Sequence, residues 1–174
     1  MNCRFVTRTH CLTAHPRDIK RGDWEDVGWR FLPCLFNALV DFVDIELAGF
    51  HCICDDEASK KYKYPWWNQW YFNWRSEEAG MEYIAWKKTL TESYKQQADV
   101  AKEIEILYKW WKYERPQRPD PYEEDTDIRF KLEKAYEEED EEMMIRLIKV
   151  RESLWTWKWG VKAASLKEIS LSHL

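Results

Sequence analysis

The chain is short of the residues that break helices, with 5 Gly and 6 Pro among 174 residues. That scarcity argues against a fold of many short strands, each with its own turn, and suits long helices joined by short connections. No apolar run is long enough for a bilayer. The most apolar stretch, 31–43, is interrupted by Pro33, Asn37 and Asp41, so no membrane span is expected. The five cysteines are odd in number, and Cys52 and Cys54 flank a single residue. A secreted disulfide framework is excluded on that pattern. No G-x-x-x-x-G-K or G-x-G-x-x-G loop is present, nor a G-x-S-x-G elbow, so those phosphate-binding and hydrolase signatures are missing. His10, Cys11, His15, Cys34 and the run His51-Cys52-Ile53-Cys54 do not make two converging C-x₂-C halves. Neither a metal nor a cofactor is expected on those grounds. Arg4 and Arg8 are followed by no apolar stretch before His15 and Pro16, which leaves the cytoplasm as the expected compartment.

What the chain does have is tryptophan and charge: 12 Trp, 34% charged residues and a net charge of −5. Trp buries a large area and is also enriched at binding surfaces. The charge is unevenly spread. Residues 123–142 hold eleven acids against Arg129, Lys131 and Lys134, a net of −8, so the remainder is +3. Residues 1–21 hold Arg4, Arg8, Arg17, Lys20 and Arg21 against Asp18 alone. That basic excess is too sparse for a DNA-binding stripe.

Hydrophobic periodicity points to one all-α domain over 1–174, a compact bundle of about four to five helices. A short extended arm is expected at 1–22, a Pro-rich loop at 115–121 and a C-terminal tail at 161–174. The spacing predicts a buried central helix over 24–48, with Pro33 as a kink or fresh start and Gly49 as its stop. Residues 50–65 read as a connection. A second helix is expected from Pro65 or Trp66 to about Thr89, with Gly80 inside it allowing a close helix approach. A third is expected over 92–113, capped by Thr91. Val100, Ile104, Leu107 and Trp111 form its apolar stripe, and Ala98, Ala101, Glu105, Tyr108 and Lys112 its more polar flank. A fourth region starts at Asp120 and Pro121 and runs toward Trp157, ended by Gly160, with the acidic run 137–142 as a point where it could break in two.

Two constellations could carry chemistry. Trp67, Trp70, Trp74 and Arg75 lie close together on the second helical segment, and Arg115 and Arg118 sit in the proline-framed loop. Indole faces stack on planar groups and guanidinium forks pair with phosphate or carboxylate. These six residues are therefore candidates for a ligand-binding surface that takes a nucleotide-like molecule. The bland alternative is that the rings are core and the arginines pair with local acids, a loop arginine itself being expected outside the core. The second constellation is Asp41 and Asp44 on one helix with Glu78 and Glu82 on the next. Two helices each offering two acids could hold Mg²⁺, as in all-α nucleotide pyrophosphohydrolases. The chain lacks their tandem E-E-x-x-E helix followed by E-x-x-D, and Glu82 comes one position late after Glu77 and Glu78.

Trp66-Trp67, the run Trp74-Arg75-Ser76-Glu77-Glu78-Ala79-Gly80 through Trp86, and Trp110-Trp111 followed by Arg115-Pro116-Gln117-Arg118-Pro119-Asp120-Pro121 resemble small Trp-rich proteins of tailed bacteriophages. The likeness covers about residues 23–121 and brings no shared activity to transfer. It implies a phage accessory or anti-defence factor acting in the bacterial host cytoplasm. The expectation is thus a non-catalytic protein whose aromatic–basic surface binds a nucleotide-like signal or a host protein. A Mg²⁺-dependent nucleotide hydrolase is the alternative, and a homo-oligomer is left open.

Overall fold

The computed structural model describes residues 27–65, 74–90 and 94–154. The expected N-terminal arm, the C-terminal tail, Thr91 and Gly160 lie outside those residues. Among the described residues every regular element is helical, so the all-α expectation holds. Helix α1 (Val27–Asp41) passes directly into a π-helical segment (Phe42–Leu47) and on into α2 (Ala48–Cys54). The junction residues Asp41 and Ala48 both keep right-handed helical dihedrals. Pro33 sits inside α1 without ending it. Gly49 does not stop the helix either. It is buried among Ala48 and Cys52, and contact with Tyr64, 3.6 Å from where a Cβ would stand, keeps this stretch helical past its C-cap signal. Tertiary packing overrides the local preference here.

A short helix, α3 (Asp56–Lys61), occupies what the sequence suggested was plain connection. Asp55 caps it by accepting from the Glu57 N–H at 2.9 Å. Helix α4 spans Glu77–Lys88, starting well after the expected position. Trp74, Arg75 and Ser76 are not helical. Ser76 is the true N-cap, extended at φ −149°, with its Oγ accepting from the Ala79 N–H at 3.1 Å. Glu77 and Glu78 in the first turn and Lys87 and Lys88 in the last suit the helix dipole.

Helix α5 (Lys95–Lys109) continues through a second π-helical segment (Trp110–Glu114) and a 3₁₀ turn (Arg115–Gln117). Asp120 does cap, accepting from the Tyr122 N–H at 2.9 Å, but it starts only the 3₁₀ turn Pro121–Glu123. Helix α6 then runs unbroken from Thr126 to Val150. The acidic run does not divide it, and cations from another segment meet two of its carboxylates, Glu139 and Asp140.

The core lies where α1 and the first π segment meet α4, α5 and the end of α6. Phe36, Leu39, Val43, Ile84, Leu107, Tyr108 and Trp110 are its largest fully buried side chains. Phe36 stacks on Trp111 at 5.2 Å between centroids and tilts against Trp110 at 5.0 Å. The buried face of α5 is Ala98, Ala101, Ile104, Leu107 and Tyr108. It therefore takes in part of the flank expected to be polar, for a reason that lies in the partner of Tyr108. Helices α5 and α6 pack antiparallel: Glu103 meets Arg146 at 2.6 Å and Trp110 meets Glu139 at 2.7 Å, so a seven-residue advance on α5 is a seven-residue retreat on α6.

Gly80 plays the role its position suggested. A Cβ there would stand 2.3 Å from the Val43 carbonyl oxygen and 3.0 Å from its carbon. Backbone cannot yield as a side chain does, so α4 and the first π segment must separate to admit a methyl group. Gly80→Ala is expected to destabilise by about 1–3 kcal/mol despite the better helix propensity of alanine. Urea unfolding measures it; a stabilised variant would mean that the two backbones are not in contact.

Candidate functional site

Two polar clusters flank the second π segment, and between them they contain the three arginines of the predicted ligand surface. The first is built on Asp44, a carboxylate in the first π segment that is 6% exposed. A buried charge needs hydrogen bonds and countercharge to offset its lost hydration. Asp44 has both. The Tyr108 hydroxyl donates to it at 2.6 Å, Arg75 lies at 3.4 Å and Lys112 at 3.5 Å. Its carbonyl accepts from the Ser76 N–H at 2.9 Å. Arg75 also pairs with Asp41 at 2.8 Å. Lys112 bridges onward to Glu77 at 2.7 Å and to the Tyr108 hydroxyl at 2.6 Å, and Tyr113 donates to Glu77. Tyr108 can therefore be buried on α5 because its hydroxyl has an acceptor.

Burial and the bond to Asp44 push the Tyr108 phenol well above its ordinary value. Burial and the bond to Glu77 raise Tyr113 to about 12. For Glu77 burial acts upward, but the hydrogen bonds from Lys112 and Tyr113 outweigh it and its pKa falls below the usual 4.5.

The second cluster joins the proline-framed loop to α6. Arg115 forms a two-pronged pair with Asp140 at 3.1 and 2.9 Å and lies over the Trp111 ring at 5.1 Å. Arg118 reaches Glu139 at 2.7 Å and Asp140 at 2.8 Å. Its guanidinium lies 5.5 Å from the Trp110 ring and 4.8 Å from that of Tyr136. The Arg118 side chain is only 14% exposed, although it comes from a loop. Planar cation, ring and paired carboxylates make a strong internal clamp.

Of the six predicted ligand residues, Trp67 and Trp70 lie outside the described residues. Trp74 packs edge-on against Tyr64 at 4.9 Å, beside Ala48, Cys52 and Ala79. Arg75 belongs to the Asp44 cluster, and Arg115 and Arg118 to the α6 clamp. The two groups share no partner, and all three arginines already face carboxylates. The acids considered for Mg²⁺ are likewise distributed: Asp41 and Asp44 meet Arg75, Glu78 accepts from Ser76 at 3.1 Å, and Glu82 pairs with Lys61 at 2.8 Å and Tyr62. Among the described residues no group of three or more His, Cys, Asp or Glu is placed to hold one ion, and no helix is long and apolar enough to cross a membrane.

The clamp leaves much of α6 uncovered. In its 25 residues only Leu147 and Val150 are buried. Phe130 is 62% exposed, Ile145 45% and Ile148 46%. With Lys134, Glu137 and Glu141 between them, these residues follow three- and four-residue steps and form one outward stripe. Glu137 and Glu141 have no cation within 4 Å among the described residues, unlike Glu133 and Glu138, which pair with Arg129 and Lys134. The sequence had marked the acids of this stretch but not the three apolar residues. Their spacing, Phe130 to Ile148, was the available signal. The chain matches no family model, curated protein or solved structure.

Two outcomes follow for these clusters. Arg118→Ala should destabilise by about 1–3 kcal/mol, because it strips charged hydrogen bonds from two carboxylates. Arg118→Lys should restore part of that, since an ammonium lacks the planar fork. Chemical denaturation with an unchanged midpoint for Arg118→Ala would show that the loop does not hold α6. The lowered Glu77 pKa fixes the sign of an acid effect. Its stabilisation is complete above 4.5 and is lost as pH falls through the lower folded value. A Tm series from pH 6 downward should therefore be flatter for Glu77→Gln than for wild type; parallel curves would remove Glu77 from the linkage.

Proposed function

We propose that this is a non-catalytic helical binding protein that docks a basic, amphipathic segment of another protein along the outward face of α6. One observation carries the reading: a 25-residue helix buries only Leu147 and Val150 and is clamped along one flank at Glu139 and Asp140, while its outward stripe is apolar at both ends with Lys134, Glu137 and Glu141 in the middle. The stripe from Phe130 to Ile148 is about 27 Å long, ample for a helical partner. Glu137 and Glu141, which meet no cation among the described residues, favour cations at the partner's centre, and Phe130, Ile145 and Ile148 favour apolar residues at its ends. The setting implied by the phage resemblance would make that partner a host protein.

A protein partner is preferred over a nucleotide-like ligand because of the arginines. An anion at Arg115 and Arg118 would have to displace Asp140 and Glu139 from charge-assisted pairs. The outward face of α6 needs no such displacement.

The test uses a labelled helical peptide of leucine and lysine, titrated by fluorescence anisotropy. Phe130→Ala and Ile148→Ala leave net charge unchanged and should each weaken binding by about tenfold, as for an apolar anchor. Glu137→Lys with Glu141→Lys should weaken it further and flatten its salt dependence. If the apolar variants bind as wild type does, the attraction is only bulk charge and the docking face is lost.

A further inference from the structure

A cleft of about 110 Å³ opens between the first π segment, α4 and the start of α5, and shares no lining residue with the arginine clamp. Its walls are apolar: Phe42, Leu47, Ile84, Val100 and Ile104. Its polar lining residues are Lys87, Gln96, Gln97 and Ser153. No acid lines it. Lys88, the next residue, bonds to Glu105, whereas Lys87 has no carboxylate within 4 Å among the described residues. Its one described contact is with the Tyr83 ring, whose centroid lies 5.2 Å from Nζ. Burial alone pulls the Lys87 pKa below its usual value, with no neighbouring charge acting on it.

A partly desolvated cation that meets no carboxylate among the described residues, set over an apolar floor beside three polar side chains, is complementary to one ligand class. We propose that the cleft binds a small monocarboxylate with a short apolar chain, its carboxylate on Lys87 and its chain against Ile84, Val100 and Ile104. Gln96 and Gln97 can donate to the carboxylate oxygens, and Ser153 can donate as well. The volume suits a chain of about four or five carbons, a cavity somewhat larger than this being enough for benzene. A phosphate is a poorer fit, since a strongly hydrated dianion would face a single cation and mostly carbon.

The probe is pentanoate, with pentanol and pentylamine as the neutral and cationic counterparts, titrated into the full chain by calorimetry and followed by thermal shift. Pentanoate should bind and raise the Tm, and pentanol and pentylamine should bind more weakly. Lys87→Met should weaken pentanoate by about tenfold or more through loss of the charged hydrogen bond. It should melt at or above wild type, since it removes a partly buried charge that meets no carboxylate among the described residues. Val100→Phe keeps Lys87 and fills the cleft, and should also abolish binding. Equal binding of pentanol, an unchanged pentanoate affinity in either variant, or no binding of pentanoate at all would overturn the proposal. So would a Lys87→Met protein that melts well below wild type, because Lys87 would then have a countercharge within the chain.

Discussion

The architecture depends on keeping one carboxylate, Asp44, out of water. An ionised acid at 6% exposure is tolerable only with hydrogen bonds and cations close by. Here they come from two stretches of the sequence far from Asp44. Tyr108 and Lys112 arrive from α5 and the second π segment and Arg75 from the segment ahead of α4, while the Ser76 N–H, at the cap of that helix, bonds the Asp44 main-chain carbonyl. Each bond fixes the position of a different element relative to the first helix. The same stretch of π-helix offers the Val43 carbonyl against which Gly80 lies. Two π segments thus face each other across a shared polar network, consistent with the tendency of such segments to occur where a helix must present particular groups.

The second network repeats the logic nearer the surface. Arg115 and Arg118 stack on Trp111, Trp110 and Tyr136 while pairing with Glu139 and Asp140. Aromatic rings and arginines do meet in this protein, but as parts of one scaffold. Their work is to hold a long acidic helix by one flank. That leaves the opposite flank, with its acids and isolated apolar residues, to solvent.

The class of fold was legible from the 3.6-residue periodicity and the scarcity of Gly and Pro, and Leu39 and Gly80 could be assigned their roles from pattern alone. The misread boundaries have a common cause. Gly49 looks like a stop, and Pro65 with the Trp-rich stretch looks like a start, because local signals were the only ones in view. Packing of Ala48 and Cys52 carries the first helix past its stop, and Ser76, with two acids after it, caps α4 after the non-helical Trp74 and Arg75. The burial of Tyr108 was invisible for a related reason: a tyrosine on a polar flank becomes core only once an acceptor 64 residues away is brought against it. Arg115 and Arg118 meet Trp111, Trp110 and Tyr136 rather than the tryptophans of the predicted surface, and periodicity could not say that α6 would supply their anions.

The lopsided anchoring of α6 has a consequence for how the native state fluctuates. Amide protection rises with the number of buried contacts that must break for a segment to open. The last turns of α6, with Leu147 and Val150 in the core, can exchange only when much of the domain opens. The turns from Thr126 to Glu133 bury no side chain and can unwind alone, up to the point where Tyr136 and the arginine pairs begin to resist. The helix is therefore a gradient of local stability laid along a single rod. A molecule that settles on its outer face would slow exchange most at the end where the free chain exchanges fastest.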